Sequence, residues 1–306
     1  MIDLSIIILS YNTKELLREC LFSISGSGLE SNNLEIIVID NASSDSSAEM
    51  VKKEFKDVTL VANKNNIGYA KGNNQGVKKA TGRYLLFLNA DTVVYPKTLE
   101  TMVKFMDQYK DAGAATCRVE LPTGALDDSC HRGFPTPWRS FCHFSGLGRL
   151  FSKIPLFSGY SLSYLSLNNI HEIDSCSGAF MIVRREAGEG IKWWDEEFFW
   201  YGDDLDFCYR LKKQAPSVNS GQGWKVYFVP TVKILHYKGV SGGIKKISRH
   251  LTTATDETVI RATNARFMAM KIFYKKHYDK KYPKLLTWFI MQGINLKWWF
   301  TLRRLK

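Results

Sequence analysis

The sequence predicts an α/β protein: a nucleotide-binding-type unit of mostly parallel strands flanked by helices, then a basic, aromatic, helical C-terminal extension. Three observations carry that prediction. Short apolar runs recur at residues 4–9 (LSIIIL), 34–39 (LEIIVI), 58–61 (VTLV) and 84–88 (YLLFL), with the length and composition of strands buried on both faces. Polar segments follow these runs, and helical stretches such as residues 13–25 lie between them, as crossover connections in a parallel sheet require. From residue 271 onward ten Lys and Arg stand against one acid, Asp279, interleaved with Leu, Trp and Phe.

Composition bounds the answer. The chain has 306 residues, 45% of them hydrophobic, ample for a large core with an appendage. Lys and Arg number 42 against 30 Asp and Glu, and the charge of +12 favours anionic partners: phosphates, nucleic acid or acidic lipid headgroups. The six cysteines contain no C-x-x-C pair and the opening residues no signal peptide, so reduced cytoplasmic thiols are expected. No apolar run reaches 18 residues, and no transmembrane helix is expected.

The chemistry is expected in the polar segments, because ligands of open α/β sheets sit beyond the carboxyl ends of the strands. The first segment is Ser10-Tyr11-Asn12. The second opens with Asp40, which could accept from the imide N–H of uracil or thymine, or cap a helix ahead of Ser43-Ser44-Asp45. The third, residues 63–76 (NKNNIGYAKGNNQG), contains Asn66, Gly68, Lys71 and Asn74. Its glycines permit close approaches and Lys71 suits a diphosphate, yet the spacing is neither a Walker loop nor G-x-G-x-x-G; a binding loop and a structured turn stand level. The fourth is Asn89-Ala90-Asp91, which could hold a metal ion and its phosphates or cap the next helix, with Pro96 in the first turn.

Taken in order, YN (Tyr11-Asn12), VIDNASSD (38–45), NNIGYAKGNNQG (65–76), LFLNAD (86–91), SGAFMIVRRE (177–186), WWDEEFFWYGDDLDFCYR (193–210) and ILHYKG (234–239) resemble glycosyltransferase family 2. The likeness is nearest to the bacterial branch that includes rhamnosyltransferases of surface-polysaccharide assembly. It covers roughly residues 4–240 and implies a GT-A fold over residues 1–243, with a nucleotide-sugar-binding half (1–110) and an acceptor-binding, catalytic half (111–243). It also implies a UDP- or dTDP-sugar donor, Mg²⁺ or Mn²⁺, and inversion at the anomeric carbon. The donor contacts it implies are Ser10, Tyr11, Asn12, Asp40, Asn66, Gly68, Lys71, Asn74, Asn89 and Asp91, with Asp40 on the base and Asp91 on the metal and diphosphate. Asn89 stands where the family has the first acid of its D-x-D. A neutral amide is a weaker cation ligand, so a ribose contact suits it better. His236 is implied as a metal ligand and diphosphate contact, and imidazole beside carboxylate is compatible with Mn²⁺ or Mg²⁺. Taken alone it could equally be a core or capping histidine.

Asp203, Asp204 and Asp206 crowd the start of a helix whose apolar face continues through Phe207, Cys208 and Leu211. Acids in a first turn suit the helix dipole, and at least one of the three reads that way. A general base for the acceptor hydroxyl is the other reading, since crowded carboxylates raise the pKa of one member. The resembled motif makes Asp204 the base and Asp203 an acceptor contact. Ser177 and Gly178, small residues before an apolar run, mark either a close approach of a sugar or a tight strand start. Trp200 and Tyr201 are expected against the acceptor, because aromatic faces stack on sugar rings. The irregular residues 127–173 are expected to cover or build the acceptor side.

Residues 244–306 are expected to form a membrane-associating helical extension. Their apolar part is too interrupted to span a bilayer but carries the Lys, Arg and Trp that an anionic interface selects. The alternative is a helix packed on the catalytic part. A glycan or polyprenyl-diphosphate-linked acceptor would account for such a tail and sets the expected location at the inner face of the plasma membrane. Two rivals remain. A nucleotidyltransferase making a sugar nucleotide would want a Gly-rich basic loop that residues 10–14 do not supply. A nucleic-acid-binding protein fits the charge, but the basic excess is concentrated at one end.

Overall fold

The computed structural model describes residues 2–28, 33–214, 223–244, 248 and 250–305. Its first half follows the expected alternation: β1 (Leu4–Ser10), α1 (Lys14–Ser25), β2 (Leu34–Asp40), α2 (Ser47–Glu54), β3 (Thr59–Ala62), α3 (Tyr69–Val77) and β4 (Tyr84–Asn89). Ile6, Ile7 and Ile8 on β1 and Leu85, Leu86 and Phe87 on β4 are all fully buried. With helices on both faces no position alternates toward water, so these strands read as unbroken apolar runs. β2 pairs in parallel with β1 and β3, and β1 pairs in parallel with β4.

Residues 63–76 are not the loop or turn that their Asn and Gly content suggests, because most of them belong to helix α3. A Cβ at Gly72 would run into Leu9, and one at Gly76 into Ile7. The glycines let α3 settle directly on β1, which outweighs their poor helix propensity. The capping alternative for Asn89-Ala90-Asp91 also fails. The chain continues into β5 (Thr92–Val94), and α4 (Thr98–Gln108) starts only after Lys97, with Pro96 outside it.

The second half comprises β6 (Ala112–Glu120), α5 (Pro137–Ser145), α6 (Leu147–Leu150), α7 (Pro155–Ser158), β7 (His171–Ile173), β8 (Phe180–Arg184), α8 (Arg185–Gly190), α9 (Asp203–Lys213), β9 (Lys225–His236), α10 (Asp256–His277) and α11 (Lys284–Arg303). The sheet order is β3-β2-β1-β4-β8-β6-β9-β5, with β7 also paired to β9. The parallel order of the first half gives way to a mixed one here. β8 runs antiparallel to both β4 and β6, so β6 recovers the direction of β4, and β9 runs parallel to β6. The carboxyl ends of β1, β2, β3, β4, β6 and β9 therefore share one edge with the amino end of β8. This places Tyr11, Asn41, Asp91, Ser177 and His236 within one region.

The C-terminal part divides into two helices with different surroundings. The first helix of the expected extension begins at Asp256, where the Thr255 hydroxyl accepts from the Thr258 N–H at 3.3 Å. α10 packs on α9: Phe273, Tyr274 and Tyr278 join Phe198 and Tyr209 in a second, smaller core. Asp206 is the electrostatic centre of that contact. Fully buried, it accepts from Arg210 Nε at 2.6 Å and pairs with His277 Nε2 at 2.7 Å. Of the three clustered acids, Asp206 is thus the structural one. α11, by contrast, has no buried residue, although it carries Leu285, Trp288, Phe289, Leu296, Trp299 and Phe300. Among the described residues no helix is long and apolar enough to cross a membrane. Lys306, one of the ten basic residues of the tail, lies outside the described residues, as do residues 245–247 beside the expected boundary at 243.

Asp206→Ala should leave His277 without its carboxylate and Arg210 with only the Ile191 and Trp193 carbonyls, and lower stability by about 3–5 kcal/mol, the usual effect of removing one partner from a buried ion pair. The denaturant midpoint measures this. An unchanged midpoint would mean that α10 docks without the aspartate.

Candidate active site

A cavity of about 760 Å³ lies at the shared strand edge. Tyr11, Asn66, Gly68, Asn89 and Asp91 line it from the first half of the chain, and Ser177, Gly178, Trp200, Tyr201, Asp203, Asp204 and His236 from the second. Five of the expected donor contacts are not on this wall: Ser10, Asn12, Asp40, Lys71 and Asn74.

Local hydrogen bonding explains most of those departures. Ser10 Oγ pairs with Thr13 Oγ1 at 3.1 Å. Asn12, at a left-handed φ of 52°, donates its N–H to Ser43 Oγ at 3.0 Å and accepts from the Ser44 N–H at 2.8 Å, joining the first polar loop to the second. Both ends of the Asn74 amide are taken by the Trp194 backbone, at 2.9 and 3.1 Å. Lys71 is exposed on α3. These side chains hold chain to chain, a task for which Asn and Ser are as well suited as for gripping a ligand. Asp40 differs. Its Oδ2 accepts from the Ser43 N–H at 3.0 Å, while Oδ1 is buried and has no hydrogen-bond partner. A buried acceptor left open in this way fits a donor supplied by a ligand. Gly68 serves a close approach between segments: at a φ of 88° it lets the Tyr69 N–H reach the Phe199 carbonyl at 2.8 Å, and a Cβ would stand 2.7 Å from that oxygen.

Asp91 and His236 face each other, Oδ1 to Nε2, at 3.3 Å. The other imidazole nitrogen, Nδ1, is held by Asp127 Oδ2 at 2.9 Å, and Lys238 also bonds Asp127. Burial alone would lower the His236 pKa, but the charges of Asp91 and Asp127 outweigh it and hold it at about 9. Burial would likewise raise both aspartates, yet His236, joined by Lys238 at Asp127, keeps them below the ordinary carboxylate range. Asp127 orients the ring so that Nε2 points at Asp91, the arrangement that commonly backs a metal-bound histidine. Among the described residues no group of three or more His, Cys, Asp or Glu is arranged to hold a metal. Asp91 and His236 make a candidate donor set of two side chains. That fits a Mg²⁺- or Mn²⁺-type ion completed by substrate phosphates and water, and not a closed structural site.

The second acidic group sits at the start of α9, reached through Tyr201 and Gly202 at φ of 73° and 77°. Such a backbone is strained at tyrosine and natural at glycine, and it aims the Trp200 and Tyr201 rings, stacked 5.7 Å apart, at the cavity. Asp204 Oδ2 accepts from Arg132 Nη2 at 2.7 Å, and its Oδ1 from the Leu205 N–H at 2.7 Å. Asp203 is buried, and burial followed by the neighbouring charge of Asp204 pushes its pKa well up. Crowding thus acts on Asp203, which is held toward its neutral form, while Asp204 is the member with a cationic partner. The raised pKa and the assignment of Asp204 as base, linked in the sequence reading, come apart. Ser177 Oγ is buried without a partner on the same wall. At Gly178 a Cβ would collide with Tyr69, whose hydroxyl donates to the Gly178 carbonyl at 3.1 Å.

Two residues that sequence reasoning did not single out, Asp127 and Arg132, orient the two centres. Both come from the excursion after β6, which also gives the cavity Ser129, Ser140 and Tyr160. Nothing in their sequence neighbours distinguishes them from turn residues, and only the return of this segment over the strand edge does so.

An acid whose pKa rises on folding binds its proton more tightly in the native state. Its stabilising effect therefore declines as pH climbs from the ordinary carboxylate value toward the raised one. Asp203→Asn, isosteric with the neutral acid, removes that decline. The variant should melt a few degrees above wild type at pH 8 and at the same temperature at pH 4. A difference that does not vary with pH would show that Asp203 does not titrate abnormally.

Known proteins were compared with this chain. The family model described as Glycosyl transferase family 2 matches residues 5–167, more than half of the chain. Rhamnosyltransferase WbbL of Escherichia coli K12 is 29% identical over 160 residues, 52% of this chain and 54% of its own. The N-acetylglucosaminyl-diphospho-decaprenol L-rhamnosyltransferase of Mycobacterium tuberculosis is 24% identical over 238 residues, 74% of each chain. The chain thus spans about half the length of the first relative and about three quarters of the second. Among solved structures, S. aureus TarS 1-349 in complex with UDP matches 89% of this chain and 66% of its own, with a TM-score of 0.51 and 16% identity. GalNAc-T7 with UDP, GalNAc and Mn²⁺ matches 92% of this chain and 52% of its own, with a TM-score of 0.56 and 15% identity. At such identities the likeness is one of fold, and that fold is GT-A.

Proposed function

The chain belongs to glycosyl transferase family 2, and from that premise we propose an inverting, metal-dependent transfer of a sugar from a nucleoside diphosphate to a lipid-linked or glycan acceptor. The setting is cell-surface glycan biosynthesis. The first donor to consider is dTDP-rhamnose, because two relatives are named as rhamnosyltransferases; other dTDP- and UDP-sugars follow. The observation that carries this reading is that one cavity contains both the Asp91–His236 pair and the Asp203–Asp204 pair. Sugar transfer also accounts for the family match, which the sugar-nucleotide-forming and nucleic-acid-binding readings do not.

The division of labour follows from the side chains. The unpartnered Asp40 oxygen supports a contact with a base imide, and Asn89, on the cavity wall, is assigned to the ribose. Asp91 would hold the divalent ion, joined by His236 once its imidazole gives up the Nε2 proton, with Asp127 fixing the ring. When bound, that ion supplies positive charge where the departing diphosphate becomes more negative. Lys238, on the same wall, adds a second cation. Across the cavity the acceptor hydroxyl attacks the anomeric carbon on the face opposite the diphosphate. Its proton passes to the Asp204 carboxylate, held in place by Arg132, as the bond from carbon to the diphosphate oxygen breaks. The electron pair leaves with the diphosphate and the anomeric configuration inverts. Asp203, held toward its neutral form, can donate a hydrogen bond to a sugar oxygen.

The tail supports a membrane-surface location through α11, whose aromatic and aliphatic side chains are unburied and flanked by Lys284, Arg303 and Arg304. Full-length protein should sediment with anionic liposomes at low salt and release as salt rises. Failure to sediment at low salt would remove this location.

The central test is nucleotide release from a panel of dTDP-, UDP- and GDP-sugars with Mg²⁺ or Mn²⁺, with and without EDTA. Turnover should need the metal and fall about 10²–10⁴-fold in Asp204→Asn, while donor binding persists. Undiminished turnover in that variant would take the base role from Asp204.

A further inference from the structure

α11 has no buried residue, yet Ile290, Gly293, Ile294 and Lys297 line the cavity that contains Asp91 and Asp204. Their spacing of three, four and seven residues marks one helix face. α10 contributes Phe267, Met270, Phe273 and Tyr274 to the same cavity, and α5 contributes Phe141 and Phe144, again at the spacing of single faces. Three largely apolar stripes thus converge on a part of the cavity that a sugar nucleotide does not explain, because its polar groups would be desolvated there without partners.

Two details point to the occupant. Gly293 lies in mid-helix, where glycine weakens the helix relative to alanine, and a Cβ there would meet nothing within 4 Å. No protein neighbour requires the missing side chain, and the space it leaves belongs to the cavity wall. Two cations, Arg266 and Lys297, line this same part. Burial and the charge of Arg266 both push the Lys297 ammonium down, and its Nζ lies 3.6 Å over the Phe144 ring. Like charges brought together in an apolar setting call for an anion. Phe141 and Phe144 are more than half exposed while lining the cavity, so it opens to the outside at α5.

We propose that this part of the cavity binds the first isoprene units of a prenyl-diphosphate-linked acceptor, with Arg266 and Lys297 on its phosphates and the chain leaving past Phe141 and Phe144. The inference rests on the sugar-transfer reading above and adds where the lipid lies and which residues select it. An apolar chain joined to a compact anion matches a lining of Phe, Met and Ile beside two cations.

The test is binding of geranyl, farnesyl and geranylgeranyl diphosphate to the full-length protein by calorimetry, with dTDP and UDP plus Mn²⁺ measured on the same samples. Affinity should rise roughly tenfold with each added isoprene unit. Gly293→Leu, which fills the open space and favours the helix, should weaken geranylgeranyl diphosphate about tenfold with the melting temperature held or raised. Lys297→Gln should weaken all three lengths alike, since it meets the head group. Affinity independent of chain length, or wild-type binding in Gly293→Leu, overturns the proposal. Absence of nucleotide binding would instead tell against sugar transfer, because the chain-length series judges the lipid site by itself.

Discussion

The junction on which the site depends is an imidazole held between two carboxylates. Asp91 follows β4, Asp127 follows β6 and His236 ends β9, so three strands that are separate in sequence are joined by one buried ionic contact. Charges buried to this degree persist only when paired and hydrogen-bonded, and each partner here leaves the others uncompensated if removed. The arrangement is stable without a ligand while the imidazole keeps its proton, and both Asp91 and His236 line the cavity. One contact thus closes the sheet edge at the wall of the cavity.

The direction of β8 makes that junction possible. Because it runs antiparallel between β4 and β6, the strands beyond it point the same way as those before it. The two halves of the chain consequently face one cavity instead of opposite ends of the sheet. The acidic start of α9 completes the cavity from above. Asp206 then ties α9 to α10, whose other side chains form part of the wall. The C-terminal region is in this way part of the site and not merely attached to it.

Several site residues were legible because their chemistry is unusual for their position. Asp91 at the end of an apolar strand, three aspartates within four residues, and a late histidine after β-branched residues all stand out in one dimension. Asn12, Asn74 and Lys71 were legible in the same way, but the structure bonds the two asparagines to other segments and leaves Lys71 exposed off the cavity wall. An asparagine that bonds backbone and one that bonds a ligand have the same sequence appearance, and the surroundings that separate them come from residues far along the chain, such as Trp194. The glycines of α3 misled for the same reason, since close packing on β1 and close approach to a ligand make the same demand on composition.

By itself the sequence determined the strand-and-helix order of the first half, the polar ends of its strands, the resemblance to a family, and the basic, aromatic character of the tail. These are local properties, written in hydrophobic period and residue type. Only the tertiary structure decided which carboxylate has the cation, that Asp203 is the one burial neutralises, that Asp127 and Arg132 orient the two centres, and that α11 lies against α10 without burying any of its own residues. Each of those depends on burial and on distances between residues tens to hundreds of positions apart, which electrostatics reads in space and a sequence does not record.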